Sequence, residues 1–297
     1  MTRTIAILLA ALPLLPPAGE PRNATTTVYG WIADDQNRPV ATLTAADLEM
    51  FVDGQRAAIE SVKPRGSLSL AIVLDTSRSV LWDRDALGDQ LLALYAALKS
   101  DDRVMLSTVG GRPFSTPFQT GIPDLRADVR RALDRGNDDG YGTTPLWDAL
   151  HDAVTSLARE PAPRAILLLS DGRATGNRHG LVEIADHAME HSVLVYVIAR
   201  NTAQRIRQSV QTAVLVQPAA PMEAMTIYTG GYLYTYPEGQ REAAALLFSG
   251  LGQQLATLHA FAFTSPVRDG QPHTLRVVPT RNGYRARAPQ AFVAPPG

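Results

Sequence analysis

Cysteine is absent from the 297 residues. That excludes disulfides, thiolate-held metals, cysteine nucleophiles and attachment to a lipid through an N-terminal cysteine. An excess of either charge is missing too, since Lys and Arg total 28 against 29 Asp and Glu. Such a chain has no global attraction to nucleic acid or to an anionic membrane, so charge-driven recognition must be local. No GxxxxGK, GxSxG or HExxH occurs, which removes the phosphate-cradling loop, the nucleophile elbow and the zinc-peptidase helix. Beyond the N-terminus, no apolar run approaches the ~20 residues of a membrane span. Internal repeats and low-complexity tracts are likewise missing.

The N-terminus carries the first positive signal. MTRTIAILLAALPLLPPAGEP has an early Arg3, an apolar stretch from Ile5 to Leu15 and a small-residue exit near Ala18 and Gly19. This is the layout of a secretory signal over residues 1–19. Its removal would leave a secreted or periplasmic protein of the cell envelope with no stable membrane span. An uncleaved anchor is the alternative, because Pro16 and Pro17 sit at the exit. Asn23-Ala24-Thr25 is a glycosylation sequon only in a host that uses one.

From Ser67 to Ala199 two textures alternate. LSLAIVL (68–74), RVMLSTV (103–109), AILLLS (165–170) and SVLVYVIA (192–199) are strand-length and apolar on both faces. A strand covered by helices on both sides must look like this. Between them, Leu87, Leu91, Leu94 and Leu98 recur at helical spacing, as do Leu146, Leu150, Val154 and Leu157, and more weakly Leu125, Val129 and Leu133. Strand–helix alternation of these lengths predicts an α/β fold with a doubly wound, mostly parallel sheet.

The flanks differ. Asp53-Gly54, Asp269-Gly270 and Asn282-Gly283 are turn signals among strand-like runs. The two flanks are expected to pack together as a small β-sandwich-like unit. The division expected is 24–66 for the N-terminal β region, 67–258 for the α/β domain and 259–293 for the C-terminal β region. Residues 200–221 fit neither period. A helix stopped by Gly230-Gly231, the strand YLYTY, and a last helix from about Gln240 carrying Leu246, Leu251, Leu255 and Leu258 complete the chain.

In an open parallel sheet, ligands bind beyond the carboxyl ends of the strands. There the first apolar run ends in Asp75, Ser77 and Ser79, and AILLLS ends in Asp171-Gly172. The loop GYGTTPLWDAL places Thr143 and Thr144 before a helix starting at Pro145. Carboxylates and hydroxyls without sulfur or imidazole suit a hard cation. Ordinary readings also exist: Asp75 and Asp171 as turn residues, and Thr144 as a helix cap.

DTSRS, GTTPLWDAL and LLLSDG resemble the three segments of the metal-ion-dependent adhesion site of von Willebrand factor A domains, and the flanks resemble a bacterial group related to that family. The resemblance implies hydroxyl ligation by Ser77, Ser79 and Thr144, with Asp75 and Asp171 binding directly or through water. The ion implied is a divalent cation, Mg²⁺ foremost with Mn²⁺ and Ca²⁺ as alternates. The partner implied is a protein donating a Glu or Asp carboxylate. Arg78 stands where the family often has Gly, and Thr143 competes with Thr144 for the metal role. On this reading the chain is no enzyme. The rival readings are a metal-dependent hydrolase using Asp75 and Asp171, and a scaffold whose loops hold no ion.

Other candidates carry less. His187 and His191 lie four apart on a predicted helix and could share zinc, but the sequence offers no obvious third ligand, so they read as two partly exposed helix histidines. Tyr232, Tyr234 and Tyr236 alternate along a predicted edge strand. Asp138 and Asp139 read as a solvated loop or as part of the site rim.

Overall fold

A computed structural model describes residues 25–80, 82–121, 124–137, 142–200, 219–237 and 239–297. The expected signal segment, Asn23, Asp138, Asp139 and most of the irregular stretch after Arg200 lie outside these residues. Among the described residues no helix is long and apolar enough to cross a membrane.

A six-stranded sheet in the order β10-β9-β8-β5-β6-β7 forms the centre. Its members are β5 (Ser69–Asp75), β6 (Arg103–Val109), β7 (Gln119–Thr120), β8 (Arg164–Ser170), β9 (Val193–Ala199) and β10 (Leu233–Thr235). All neighbours run parallel except β7, which lies antiparallel on β6. The continuous apolar runs are explained by covering on both faces. Leu70, Ile72 and Leu74 point into one core, whereas Ala71 and Val73 point into the other.

The first core is closed by α1 (Arg84–Ala96), α2 (Leu125–Asn137) and α6 (Arg241–Ala256). The second is closed by α3 (Leu146–Leu157), α4 (Leu181–Glu190) and α5 (Ala219–Thr229). Since β6 lies on one side of β5 and β8 on the other, the winding reverses between β5 and β8. A crevice opens at such a reversal, beyond the carboxyl ends of the two strands.

Leu246, expected on the buried face of the last helix, is 74% exposed. The face that packs is Ala244, Phe248, Leu251 and Leu255. Leu246 stands five positions before Leu251, about 140° round the helix from it.

The flanks form two four-stranded antiparallel sheets, β13-β1-β11-β4 and β14-β12-β2-β3. The first joins β1 (Thr25–Ala33), β4 (Ile59–Pro64), β11 (His259–Thr264) and β13 (Arg285–Arg287); the second joins β2 (Leu48–Val52), β3 (Gln55–Ala57), β12 (Pro272–Pro279) and β14 (Ala291–Val293). Each sheet mixes strands from both ends of the chain: β1 pairs with β11, and β2 with β12. Val28, Ile32, Phe261 and Phe263 face Met50, Val52, Leu275 and Phe292 across a shared apolar core. This is a sandwich.

Asp53 and Gly54 both take positive φ (48° and 79°) in the two-residue turn between β2 and β3, as a tight hairpin requires. The Asp269-Gly270 and Asn282-Gly283 turns instead carry the chain from one sheet to the other. Where the N-terminal β region meets the central sheet, Arg65 and Asp102 form a bidentate ion pair with no solvent exposure (2.6 and 2.7 Å). Asp102 also accepts from the backbone N–H of Leu68 and Lys99.

Candidate metal centre

Asp75 closes β5 and lies out of solvent, as does Asp171 just past β8. Oδ1 of Asp75 accepts the backbone N–H of Ser77 at 2.9 Å, and Oδ2 accepts the hydroxyl of Ser170 at 2.6 Å. The Ser77 and Ser79 hydroxyls lie 3.0 Å apart, so the alternate residues turn to one point. Asp171 Oδ1 accepts from the backbone N–H of Arg173 at 3.0 Å. The turn-forming roles of both aspartates are therefore real. They use one oxygen of a carboxylate and leave its charge in place.

That charge is costly. Burial pushes the Asp75 carboxyl above the usual carboxylate range; hydrogen bonds from Ser170 and Ser77 pull it down, and the negative charge of Asp171 pushes it up again. None of these influences is a cation. A buried carboxylate beside a second negative charge is stabilised by a nearby positive charge.

Neighbouring loops are drawn in by close contacts. The Thr76 hydroxyl donates to the carbonyl of Gly110 beyond β6 at 2.6 Å. Gly110 has φ +80°, and a Cβ there would stand 2.9 Å from the Ser77 nitrogen. Only glycine lets the β6 loop approach so closely. The Trp82 indole donates to the Asp75 carbonyl at 2.7 Å, and the Arg200 guanidinium lies near the Trp82 and Tyr236 rings, 4.9 and 5.2 Å from their centroids.

Thr144 is buried and belongs to the loop before α3. A reciprocal pair ties it to the loop after β8: Thr144 N–H donates to Thr175 Oγ1 at 2.9 Å, and Thr175 N–H to the Thr144 carbonyl at 2.8 Å. Trp147 N–H bonds Asn177 Oδ1, and Asp148 accepts from the backbone of Arg178 and His179. Helix α3 starts at Leu146 with Pro145 at its cap position and no side-chain cap bond. Thr144 thus does not cap the helix with its hydroxyl. Thr143 packs against Gly176, where a Cβ would stand 2.7 Å from the threonine Cβ.

Beside these loops a cavity of ≈ 670 Å³ runs between β6 and α3, reached by Gly110, Phe114, Thr143, Pro145, Asp148 and Arg178. Hydrogen bonds thus bring Asp75, Ser77 and Ser79 together, the charge of Asp171 acts on Asp75, and Thr144 is fixed to the same strand-end loops. Ser170, Thr76, Gly110 and Trp82 were not singled out from sequence. Ser170 left one trace there, a hydroxyl ending an otherwise apolar run.

The histidines lie elsewhere. His187 and His191 are half-buried at the C-terminal end of α4. The missing third group is present: Glu190 stands with them, one ligand atom from each within 4.8 Å of the others. Glu190 is the i,i+3 neighbour of His187 on the helix, a spacing as close as i,i+4. Partial burial, then the neighbouring His191 and His151, hold the His187 imidazole below its ordinary value, with Glu190 opposing. His151 stacks on His179 and His187.

No curated protein matches the chain. Among solved structures it is similar to BatB from Bacteroides thetaiotaomicron (18% identity, 64% of this chain and 100% of that one, TM-score 0.47). A von Willebrand factor type A protein from Catenulispora acidiphila is another (10% identity, 93% and 76%, TM-score 0.46). So is proximal thread matrix protein 1 from the mussel byssus, described with a zinc-occupied MIDAS motif (15% identity, 73% and 49%, TM-score 0.47). The von Willebrand factor type A domain pattern matches residues 69–225. This match spans more than half of the sequence, and the chain belongs to the von Willebrand factor type A domain family.

Proposed function

We propose that the chain is a recognition protein of the cell envelope, secreted or periplasmic, that engages a protein partner through a divalent cation held at the ends of β5 and β8. The observation carrying this reading is the buried Asp75 carboxylate, pressed by the charge of Asp171 and, among the described residues, held by the Ser170 hydroxyl and the Ser77 backbone. Ser77, Ser79 and Thr144 would offer neutral oxygens, and Asp75 and Asp171 the charge. The donor set fits a hard cation, Mg²⁺ foremost, with Mn²⁺ and Ca²⁺ as alternates. When bound, such an ion offers an electron-poor position that an outside Glu or Asp carboxylate can fill.

The chain's own residues do the rest. Thr76 and Gly110 hold the serine loop against β6, and the Thr144–Thr175 pair locks the second hydroxyl loop to the third. The adjoining cavity between β6 and α3 supplies room for the partner's flanking residues. A hydrolytic role at Asp75 gains no support from His151, which belongs to a separate stack with His179 and His187.

Calorimetry with Mg²⁺ and Mn²⁺, and partner capture with and without chelator, test the reading. Binding in the wild type and its loss in Asp75→Ala and Ser77→Ala are the expected results. A wild type that binds neither ion at millimolar concentration sinks it.

A further inference from the structure

Four of the chain's six histidines gather between α3 and α4. His179 stacks flat on His151 (centroids 4.0 Å apart, planes 2° apart), His151 on His187 (4.6 Å, 15°), and His187 meets His191 edge-on (4.7 Å, 85°). At one end of this column Glu190 joins His187 and His191.

The detail of the His187 ring is informative. Its Nε2 lies 3.1 Å from Thr155 Oγ1 on α3. With that hydroxyl accepting, the ring proton stays on Nε2 and the lone pair on Nδ1. Nδ1 is the nitrogen 3.9 Å from Glu190 Oε2. Metal-binding imidazoles are oriented by an outer partner in just this manner. The root of His191 is fixed as well: its N–H bonds the His187 carbonyl at 3.2 Å, and its own carbonyl accepts from Arg164 at 2.9 Å. The group sits before the start of β9, whereas Asp75 and Asp171 sit at strand carboxyl ends. The two clusters are at opposite ends of the parallel strands.

We propose that His187, Glu190 and His191 form a second metal site, distinct from the Asp75 centre, for a borderline divalent ion, Zn²⁺ foremost. Two imidazoles and a carboxylate suit Zn²⁺, Ni²⁺ or Cu²⁺ and not Mg²⁺, the reverse of the all-oxygen set at Asp75. Three protein ligands leave a position for water or an outside donor. The site stands whether or not the Asp75 centre binds a cation.

The test uses tag-free protein carrying Asp75→Ala, which removes the other centre. Zn²⁺ is titrated by calorimetry and against a chromogenic chelator, with Mg²⁺ in parallel. One equivalent of Zn²⁺ and no Mg²⁺ should bind. His191→Ala and Glu190→Gln, both outside the packed core, should each weaken Zn²⁺ by about tenfold or more. Co²⁺ should give the absorption of a four-coordinate nitrogen–oxygen site that fades in the same variants. If Asp75→Ala does not fold, the same comparison is made in wild type saturated with Mg²⁺. Absence of Zn²⁺ binding, or binding indifferent to both substitutions, overturns the proposal.

Discussion

The Ser170 hydroxyl on β8 donates to Oδ2 of Asp75 on the adjacent strand β5 at 2.6 Å, both side chains being closed off from solvent. Ser170 in turn accepts from the Gly172 N–H at 2.9 Å, so the bond also shapes the Asp171 turn. One hydroxyl can satisfy an oxygen lone pair but cannot cancel a charge. Keeping the buried Asp75 carboxylate charged therefore carries an electrostatic cost.

Removing that charge while keeping the shape should expose the cost. A carboxyl raised by folding weakens the fold fully above its folded value and not at all below its unfolded value of ~3.9. Burial raises Asp75 in this way. In chelator at pH 7, Asp75→Asn should melt above the wild type, and the gap should close towards pH 4. Millimolar Mg²⁺ should raise only the wild type. Calorimetric melts across that range, with and without Mg²⁺, decide it; a variant melting lower in chelator at pH 7 would contradict the charge argument.

Gly110→Ala should damage the same centre from the neighbouring strand. Its φ of +80° penalises any side chain, and the new Cβ would push on the Ser77 nitrogen. Strain of about 1–3 kcal/mol is expected, together with a weaker Mg²⁺ response because the Ser77–Ser79 pair must shift. Urea unfolding and Mg²⁺ calorimetry read the two effects separately. A variant unchanged in both would show that the loop has more freedom than this contact allows.

The Arg65–Asp102 pair gives a separate stability test. Arg65→Met leaves Asp102 as an uncompensated buried carboxylate and removes a donor to the Leu255 carbonyl. A loss of about 3–5 kcal/mol follows from breaking one half of such a pair. The double replacement Arg65→Met with Asp102→Leu should recover much of it, since two apolar groups leave no orphaned charge. If the double variant unfolds as readily as the single one, the backbone bonds of Asp102 to Leu68 and Lys99 carry the junction instead.

This pair also marks where the sequence is legible and where it is not. β5, β6, β8 and β9 can be read because burial on both faces forces continuous apolar runs, whereas the order that sets β8 beside β5 does not follow from their alternation with helices. Ser77 and Ser79 are visible because alternate spacing after a strand is local. The partnership of Arg65 with Asp102, or of Ser170 with Asp75, is not local: each joins residues distant in the chain, and no period links them. The Asp269-Gly270 turn shows the same limit. Its chemistry announces a reversal, but not that the chain changes sheets there. Leu246 differs for another reason: helical phase, not leucine identity, decides which side of the last helix is buried.

His273 links two turns that the sequence could only name separately. Its Nδ1 pairs with Asp53 in the β2–β3 turn at 2.6 Å, and its Nε2 with Asp269 at 3.0 Å. Hydrogen bonds to Asp53 and then Asp269 raise the imidazole above its ordinary value, and the same bond to His273 leads the causes that lower Asp53. A raised histidine stabilises fully below its unfolded value of ~6.5, and the gain disappears as pH rises through the folded value. The lowered aspartates contribute above ~3.9 and lose their share in acid. The linkage is therefore strongest in mildly acidic solution. His273→Gln should lower the urea midpoint more at pH 5.5 than at pH 9, where less of the ring's charge remains. Equal losses at both pH values would mean that His273 acts by packing against Phe292 rather than by its charge.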